Sequence, residues 1–224
     1  MKKKIIITGG LGYIGTELCK LYSGVSWHHK ITVIDNNFIS ERVNQLRNWN
    51  MEFIQGDILD KDLVNKYFQD ADIVHHLAGI TQVPRTRSES SLDQDNKIKE
   101  VGEKGTQNIL DAMNNKCKII FPSTHVVYEG IDEIKTDIKE EEKTKPVLSY
   151  STSKAVNEEQ LKKSGKNYVI LRLGSVYGYS TDSMRIDIMP NLFSKIASQN
   201  GTLKVFAGGR QIKSLVPLID VARC

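Results

Sequence analysis

The first apolar run of the chain, Ile5-Ile6-Ile7-Thr8, is interrupted by three glycines spaced three residues apart, a pattern that few folds accommodate. The segment reads Gly9-Gly10-Leu11-Gly12-Tyr13-Ile14-Gly15 and continues as an amphipathic stretch to about Tyr22. That is a strand, a tight turn and a helix. In such a turn Gly9 permits the sharp reversal, Gly12 lets the backbone approach a diphosphate, and Gly15 allows close packing of helix and strand. The helix N-terminus, with its unpaired N–H groups, then faces the anion.

Further short apolar runs lie at Ile31 to Ile34, Glu52 to Ile54, Ala71 to Leu77, Cys117 to Phe121 and Tyr168 to Leu173, separated by helix-length segments. Strands alternating with helices imply an α/β fold, a Rossmann-like, doubly wound parallel sheet covered on both faces. Leu92 to Met113 and Ser149 to Lys163 are expected as long helices, and Lys135 to Lys145, rich in Glu and Lys without apolar periodicity, as a solvated loop. Beyond Gly178 the pattern changes to a loop, a helix-like segment from Ile188 to Ala197 and a candidate strand at Leu203 to Phe206. The expected division is a cofactor-binding domain over residues 1–174 and, over 175–224, the start of a substrate-binding unit too short to close a core of its own.

No apolar run approaches the roughly eighteen residues needed to cross a bilayer, and Met1-Lys2-Lys3-Lys4 reads as a charged lead-in to a strand rather than a secretory leader. Three cysteines, widely spaced and without a C-x-x-C pair, argue against a disulfide framework or a thiolate metal site and fit a reducing cytoplasm. The net charge of +4 comes from dispersed lysines, without the basic stripe of a nucleic-acid binder. His75 and His76 are adjacent in a strand and point to opposite faces, which favours packing over metal ligation.

Asp35 closes the second strand about twenty residues beyond Gly15, where an acceptor for ribose hydroxyls is expected. Its carboxylate repels a 2′-phosphate, and Asn36 and Asn37 add no cation, so NAD is expected over NADP. The run from Thr8 to Gly15 resembles the fingerprint of the extended short-chain dehydrogenase/reductase family, the NAD-dependent sugar epimerases and dehydratases. Gly56-Asp57-Ile58 is similar to that family's adenine-contacting segment, and His76-Leu77-Ala78-Gly79 to the one beside the cofactor ribose and nicotinamide. The resemblance implies a cofactor site made of Gly9, Gly12, Tyr13, Ile14, Gly15, Asp35, Asn36, Asp57, Ile58, Leu77, Ala78, Gly79, Tyr150 and Lys154.

Tyr150-Ser151-Thr152-Ser153-Lys154 sets Tyr and Lys one helical turn apart on one face. Chance alone supplies such pairs. This one opens a helix about 25 residues after the strand ending in Pro122-Ser123-Thr124, which is the family's arrangement. By that resemblance Tyr150 takes a proton from a sugar hydroxyl, Lys154 favours the phenolate and holds the nicotinamide ribose, and Thr124 hydrogen-bonds the reacting hydroxyl. Hydride then passes from the same carbon to NAD and leaves a keto sugar.

Dehydratases of the family place an Asp-Glu pair after that Thr and related decarboxylases a Glu, whereas here His125 and Val126 follow. Epimerisation, in which hydride returns to the other face of a rotated 4-keto intermediate, is therefore expected for a nucleotide-sugar substrate. Other redox chemistry on such a sugar, and a catalytically silent NAD-binding protein, stay open. The substrate contacts implied are Thr81, Thr124, His125, Ser175 and Lys213. Three positions depart from the family: Ser175 and Gly102 each stand in place of an Asn, and Lys213 in place of an Arg, which keeps charge but loses the bidentate fork. Arg85 and Arg87 are candidates either for substrate phosphates or for a solvated loop. A homodimer through residues 92–113 and 149–163 is implied by the resemblance alone.

Overall fold

In the computed structural model, residues 2–81, 87–133, 135–180, 183–205, 207–210 and 212–224 are described. Arg85 lies outside them. Six parallel strands form the main sheet: β1 (Lys4–Thr8), β2 (Lys30–Asp35), β3 (Glu52–Gln55), β4 (Ile73–His76), β5 (Lys118–Thr124) and β6 (Asn167–Leu173), in the order β3-β2-β1-β4-β5-β6. The order reverses between β1 and β4, so a crevice opens at their C-terminal ends, the place where open α/β sheets bind ligands.

Alternation along the strands divides the core between the two faces. Ile5, Ile7, Ile31 and Val33 pack with Leu18 of α1 (Tyr13–Tyr22) and with Val43 and Leu46 of α2 (Ser40–Asn48). On the opposite face Ile6, Ile34, Val74 and Ile119 meet Val64 and Phe68 of α3 (Lys61–Phe68), together with Ile109 and Leu110 further along the chain. Leu161 of α6 (Ser149–Lys163) closes that side. Both faces are buried, which is why the strands read as nearly continuous β-branched runs.

The helix expected over 92–113 is α4 (Leu92–Lys99) and α5 (Gly105–Ala112), joined by a single π turn at Glu100–Lys104. The wider turn sits where α6 presses in. A Cβ on Gly102 would stand 2.3 Å from Ser153 Oγ, and Asn157 Nδ2 donates to the Gly102 carbonyl at 3.0 Å. The departure at Gly102 is therefore a packing requirement, with the Ser153 hydroxyl in the space a side chain would need.

After β6 the chain forms a separate parallel pair, β7 (Ser175–Tyr177) and β8 (Leu215–Pro217), with α7 (Met189–Ser198) between them and α8 (Leu218–Arg223) after, packed on α1. Neither short strand stands out in the sequence. The strand expected at Leu203 to Phe206 is not formed over Leu203–Val205, and Phe206 lies outside the described residues. Leu203 and Val205 are 42% and 59% exposed, so among the described residues their alternation meets no surface that would hold it extended.

Gly9 adopts φ +66°, and a Cβ there would lie 2.7 Å from the Ala78 nitrogen. Gly9→Ala is expected to lower stability by about 2 kcal/mol or more, combining left-handed strain with overlap. Thermal unfolding should shift down by roughly 4–8 °C. An unchanged midpoint would show that the contact relaxes freely.

Candidate active site

The glycine turn is closed by main-chain bonds, Gly9 N–H to Ile34 O at 2.8 Å and Gly12 N–H to Gly9 O at 3.0 Å. A Cβ on Gly15 would meet Gly9 O at 2.4 Å, so α1 rests directly on the turn. Gly12 caps α1 with no side chain, and no acidic residue lies in the first turn. The first amides of α1, those before Thr16, whose N–H bonds Gly12 O at 2.9 Å, are thus left for an external anion, as a diphosphate requires.

Asp35, 8% exposed, accepts from Leu11 N–H on one carboxylate oxygen and from Asn37 N–H on the other, each at 3.0 Å. The carboxylate is fixed at the mouth of the crevice and tied to the glycine turn. Asn36 Nδ2 donates to Asp57 at 3.4 Å, and Asp57 accepts from Leu59 N–H at 2.9 Å, which lines these residues along the same edge. The Ile58 side chain turns into the core, where a Cβ on Gly105 would touch it at 2.4 Å, and its carbonyl accepts from Asn108 at 3.1 Å. The flanking residues Asn36 and Asn37 carry no cation, yet Arg42 of α2 reaches back and donates to the Leu11 carbonyl. Position on a later helix hid it from a reading of the strand end.

Residues 77–79 are held by a buried relay. Ala78 N–H donates to Thr8 Oγ1 at 3.1 Å, Thr8 lies 2.9 Å from His76 Nδ1, and His76 Nε2 lies 3.0 Å from Thr106 Oγ1. The donors order consistently when Nε2 carries the proton. Burial pushes the His76 pKa down to about 3, so the ring stays neutral. His75, on the other face, pairs with the Tyr22 hydroxyl at 2.8 Å, also with its pKa pushed down, to about 4, by burial. Both histidines are packing residues.

A small cavity of about 30 Å³ lies between Leu77–Thr81 on one side and Phe121, Tyr150 and Lys154 on the other. Lys154 Nζ donates to the Pro122 carbonyl at 2.9 Å and sits 4.3 Å above the Phe121 ring and 5.9 Å from that of Tyr150. Burial lowers its pKa from 10.5 to about 8, against the opposing pull of Glu158. Tyr150 is pushed the other way: burial raises its pKa, opposed by the charge of Arg185. The first turn of α6 is held by Glu129, whose Oε1 accepts from Val147 and Leu148 N–H at 2.9 and 2.8 Å.

Thr124 ends β5, 7% exposed, and its Oγ1 accepts from Val126 N–H at 3.3 Å, which leaves its own proton to donate. His125 Nδ1 lies 3.0 Å from the Leu173 carbonyl and must donate to it, so in the neutral ring Nε2 is an acceptor. Thr81 lines both this cavity and a larger cleft of about 340 Å³ shared with Gly12, Tyr13, Arg42 and Arg185. Ser175 opens β7, its N–H bonded to Ser214 O at 2.8 Å, while Lys213 is exposed just before β8, outside the residues lining either space. Arg185, which no sequence pattern marks, donates to Thr81 O at 3.0 Å and bridges the cleft.

The family model for the NAD dependent epimerase/dehydratase family matches residues 5–224. The chain belongs to that family. It is 30% identical to a UDP-N-acetyl-alpha-D-glucosaminuronate decarboxylase of Bacillus cytotoxicus over 98% of this chain and 69% of the relative. It is 31% identical to a putative UDP-glucose 4-epimerase of Methanocaldococcus jannaschii, over 98% and 71%. Among solved structures, UDP-glucuronic acid 4-epimerase of Bacillus cereus, in complex with UDP-glucuronic acid and NAD, superposes with a TM-score of 0.80 at 28% identity, over 98% of this chain and 71% of that one. NAD is the cofactor of this chain, and the uncapped α1 terminus and the Asp35 carboxylate fit its diphosphate and ribose.

An unfolded chain keeps the Lys154 proton up to its ordinary pKa of 10.5, the folded protein only to about 8, so between those values the unfolded state binds more protons and the contribution of this group to stability rises with pH. The cost of the buried charge is present in full below about pH 8. Urea unfolding of Lys154→Met and the parent, compared from about pH 7.5 to 10, should show the difference moving in the parent's favour as pH rises. A difference independent of pH would place the Lys154 titration elsewhere.

Proposed function

We propose that the chain is a NAD-dependent nucleotide-sugar epimerase acting through a 4-keto intermediate, with Thr124, Tyr150 and Lys154 as its catalytic residues. One arrangement carries this reading. Tyr150 and Lys154 face residues 77–81 across a cavity, and the residues following Thr124 are His125 and Val126, neither of them a carboxylate of the kind that drives elimination.

When bound, NAD would supply the redox chemistry at the sugar carbon, as a hydride acceptor and donor. The chain handles the proton. In its buried setting the Tyr150 phenol is neutral at rest, so its use as a base depends on nearby positive charge. Lys154 supplies such a charge one helical turn away and is still mostly protonated at neutral pH. Thr124, with its hydroxyl proton free to donate, hydrogen-bonds the reacting oxygen while Tyr150 Oη takes the proton from it. Oη returns that proton when the ketone is reduced, so the protein ends each cycle as it began.

Specificity for a nucleotide-linked sugar is assigned to Thr81, His125, Ser175 and Lys213, and the UDP-sugar relatives support that substrate class. The cofactor contacts proposed are the fourteen named from the sequence, Ile58 through its main chain. We also propose the division at residues 174 and 175, where the main sheet ends and the β7–β8 pair starts. A homodimer through α4–α5 and α6 belongs to the same reading, supported by Leu92, 81% exposed on α4. A cytoplasmic location fits too, as no helix among the described residues is long and apolar enough to cross a membrane.

Proton NMR of UDP-, dTDP-, GDP- and CDP-sugars incubated with protein and NAD should reveal a C4 epimer without net NADH. Accumulating NADH would indicate a dehydrogenase instead. Tyr150→Phe should keep NAD affinity within a few-fold and lose turnover by about 10²–10⁴, and retained turnover would remove Tyr150 as the base. Asp35→Ala should erase the preference for NAD over NADP in equilibrium binding. Unchanged discrimination would assign that preference to another group.

A further inference from the structure

Asn191 of α7 is 4% exposed and its amide is fully used. Its Oδ1 accepts from Gly178 N–H at 3.0 Å, and its Nδ2 donates to Arg185 O at 2.8 Å and to the Tyr13 hydroxyl at 3.2 Å. The Tyr13 hydroxyl in turn donates to Gly178 O at 2.5 Å. Both main-chain polar groups of Gly178, at φ +133°, are therefore satisfied by two side chains distant in sequence. The result is a closed node joining the first turn of α1 to Gly178, to the Arg185 carbonyl and to Asn191.

That node sits at the rim of the cleft lined by Gly12, Tyr13, Arg42, Thr81 and Arg185. Arg185 also crosses to Thr81 O at 3.0 Å and pairs with Asp187. The α1 amides that face a diphosphate lie beside Tyr13, so these residues are fastened to the residue next to the cofactor's charged centre.

We propose that Asn191 and Tyr13 are positioning residues that clamp Gly178 and residues 183–191 against the first turn of α1 and thereby set how slowly NAD leaves. The geometry stands on the family's cofactor alone. Its purpose rests on the epimerase reading: a cofactor restored at the end of every cycle has no need to exchange, and slow release then costs no turnover.

The test is the dissociation rate of NAD, measured by trapping released cofactor with a coupled dehydrogenase, which needs no sugar substrate and so separates this proposal from the epimerase reading. Tyr13→Phe removes one hydroxyl from a partly exposed residue and should speed release about tenfold while leaving the unfolding midpoint of the cofactor-free protein nearly unchanged. Asn191→Ala should speed release at least as much. The double variant should be no faster than Asn191→Ala, because the two side chains act through one node. Unchanged release in Tyr13→Phe overturns the clamp, as do multiplicative effects in the double variant. If Asn191→Ala does not fold, Tyr13→Phe decides the matter alone.

Discussion

Gly9 and the Leu77–Ala78 main chain meet with no space for a single added carbon. That contact brings the turn after β1 against the end of β4, at the point where the strand order reverses. Both walls of the crevice are set by it. One wall carries α1 and its uncapped amides, and the other carries residues 77–81. The relay through Thr8, His76 and Thr106 fixes the second wall from below, and it works only because burial keeps His76 uncharged. A protonated ring in that place would offer two donors, to a Thr8 hydroxyl already committed as donor, and would place a cation near Lys154.

Charge on α6, across the small cavity from residues 77–81, is managed differently. Lys154 is a buried ammonium whose proton is held only up to about pH 8, and the nearest help comes from Glu158 one turn further along α6. Glu158 is itself 2% exposed, so its ionised form needs support. Burial pushes its pKa up, but Arg172 and Ser123 outweigh that and hold the carboxyl below its ordinary range. The Arg172 guanidinium reaches it at 2.6 Å through one nitrogen and 3.0 Å through another, and Ser123 Oγ donates at 2.5 Å. Removing either partner of a carboxylate matched this closely would leave the other poorly solvated and unpaired, at a cost of about 3–5 kcal/mol. The charge on Lys154 is thereby supported by its helix neighbour Glu158, which Arg172 of β6 in turn keeps ionised.

Much of this was readable from residue order. The β-branched strands, the glycine turn, Asp35 at a strand end and the Tyr150–Lys154 spacing are local patterns whose period or position carries the physics. What escaped depends on side chains that meet only in the fold. Arg42 reaches Leu11 from the next helix, and Arg185 comes from an aperiodic loop to lie over Thr81. The π turn at Gly102 reflects the approach of Ser153 and Asn157, about fifty residues away. Leu203 and Val205 mislead for the converse reason: alternation predicts a strand only where a neighbour buries one face. The pair β7 and β8 is too short to show a period, and its register is set by Gly174, where a Cβ would stand 2.9 Å from Ser214 O.

The distribution of the candidate catalytic residues follows from these constraints. Tyr150 and Lys154 sit on a helix that is braced at its start by Glu129, along its length by Gly102 and Asn157, and beneath by Glu158 and Arg172. A long helix held at three places is a rigid mount, suited to a residue that must give back the proton it takes from a fixed direction. The segment from Gly178 to Asn191 has another character: it lacks regular structure over most of its described length and is fastened through a few hydrogen bonds to Tyr13 and Thr81. Chemistry placed on the rigid mount and enclosure placed on the fastened segment can vary independently. The relatives include both a decarboxylase and a putative epimerase, and under the proposed roles a change of reaction would need altered residues beside Thr124, where His125 and Val126 stand here, with the hold on the cofactor untouched.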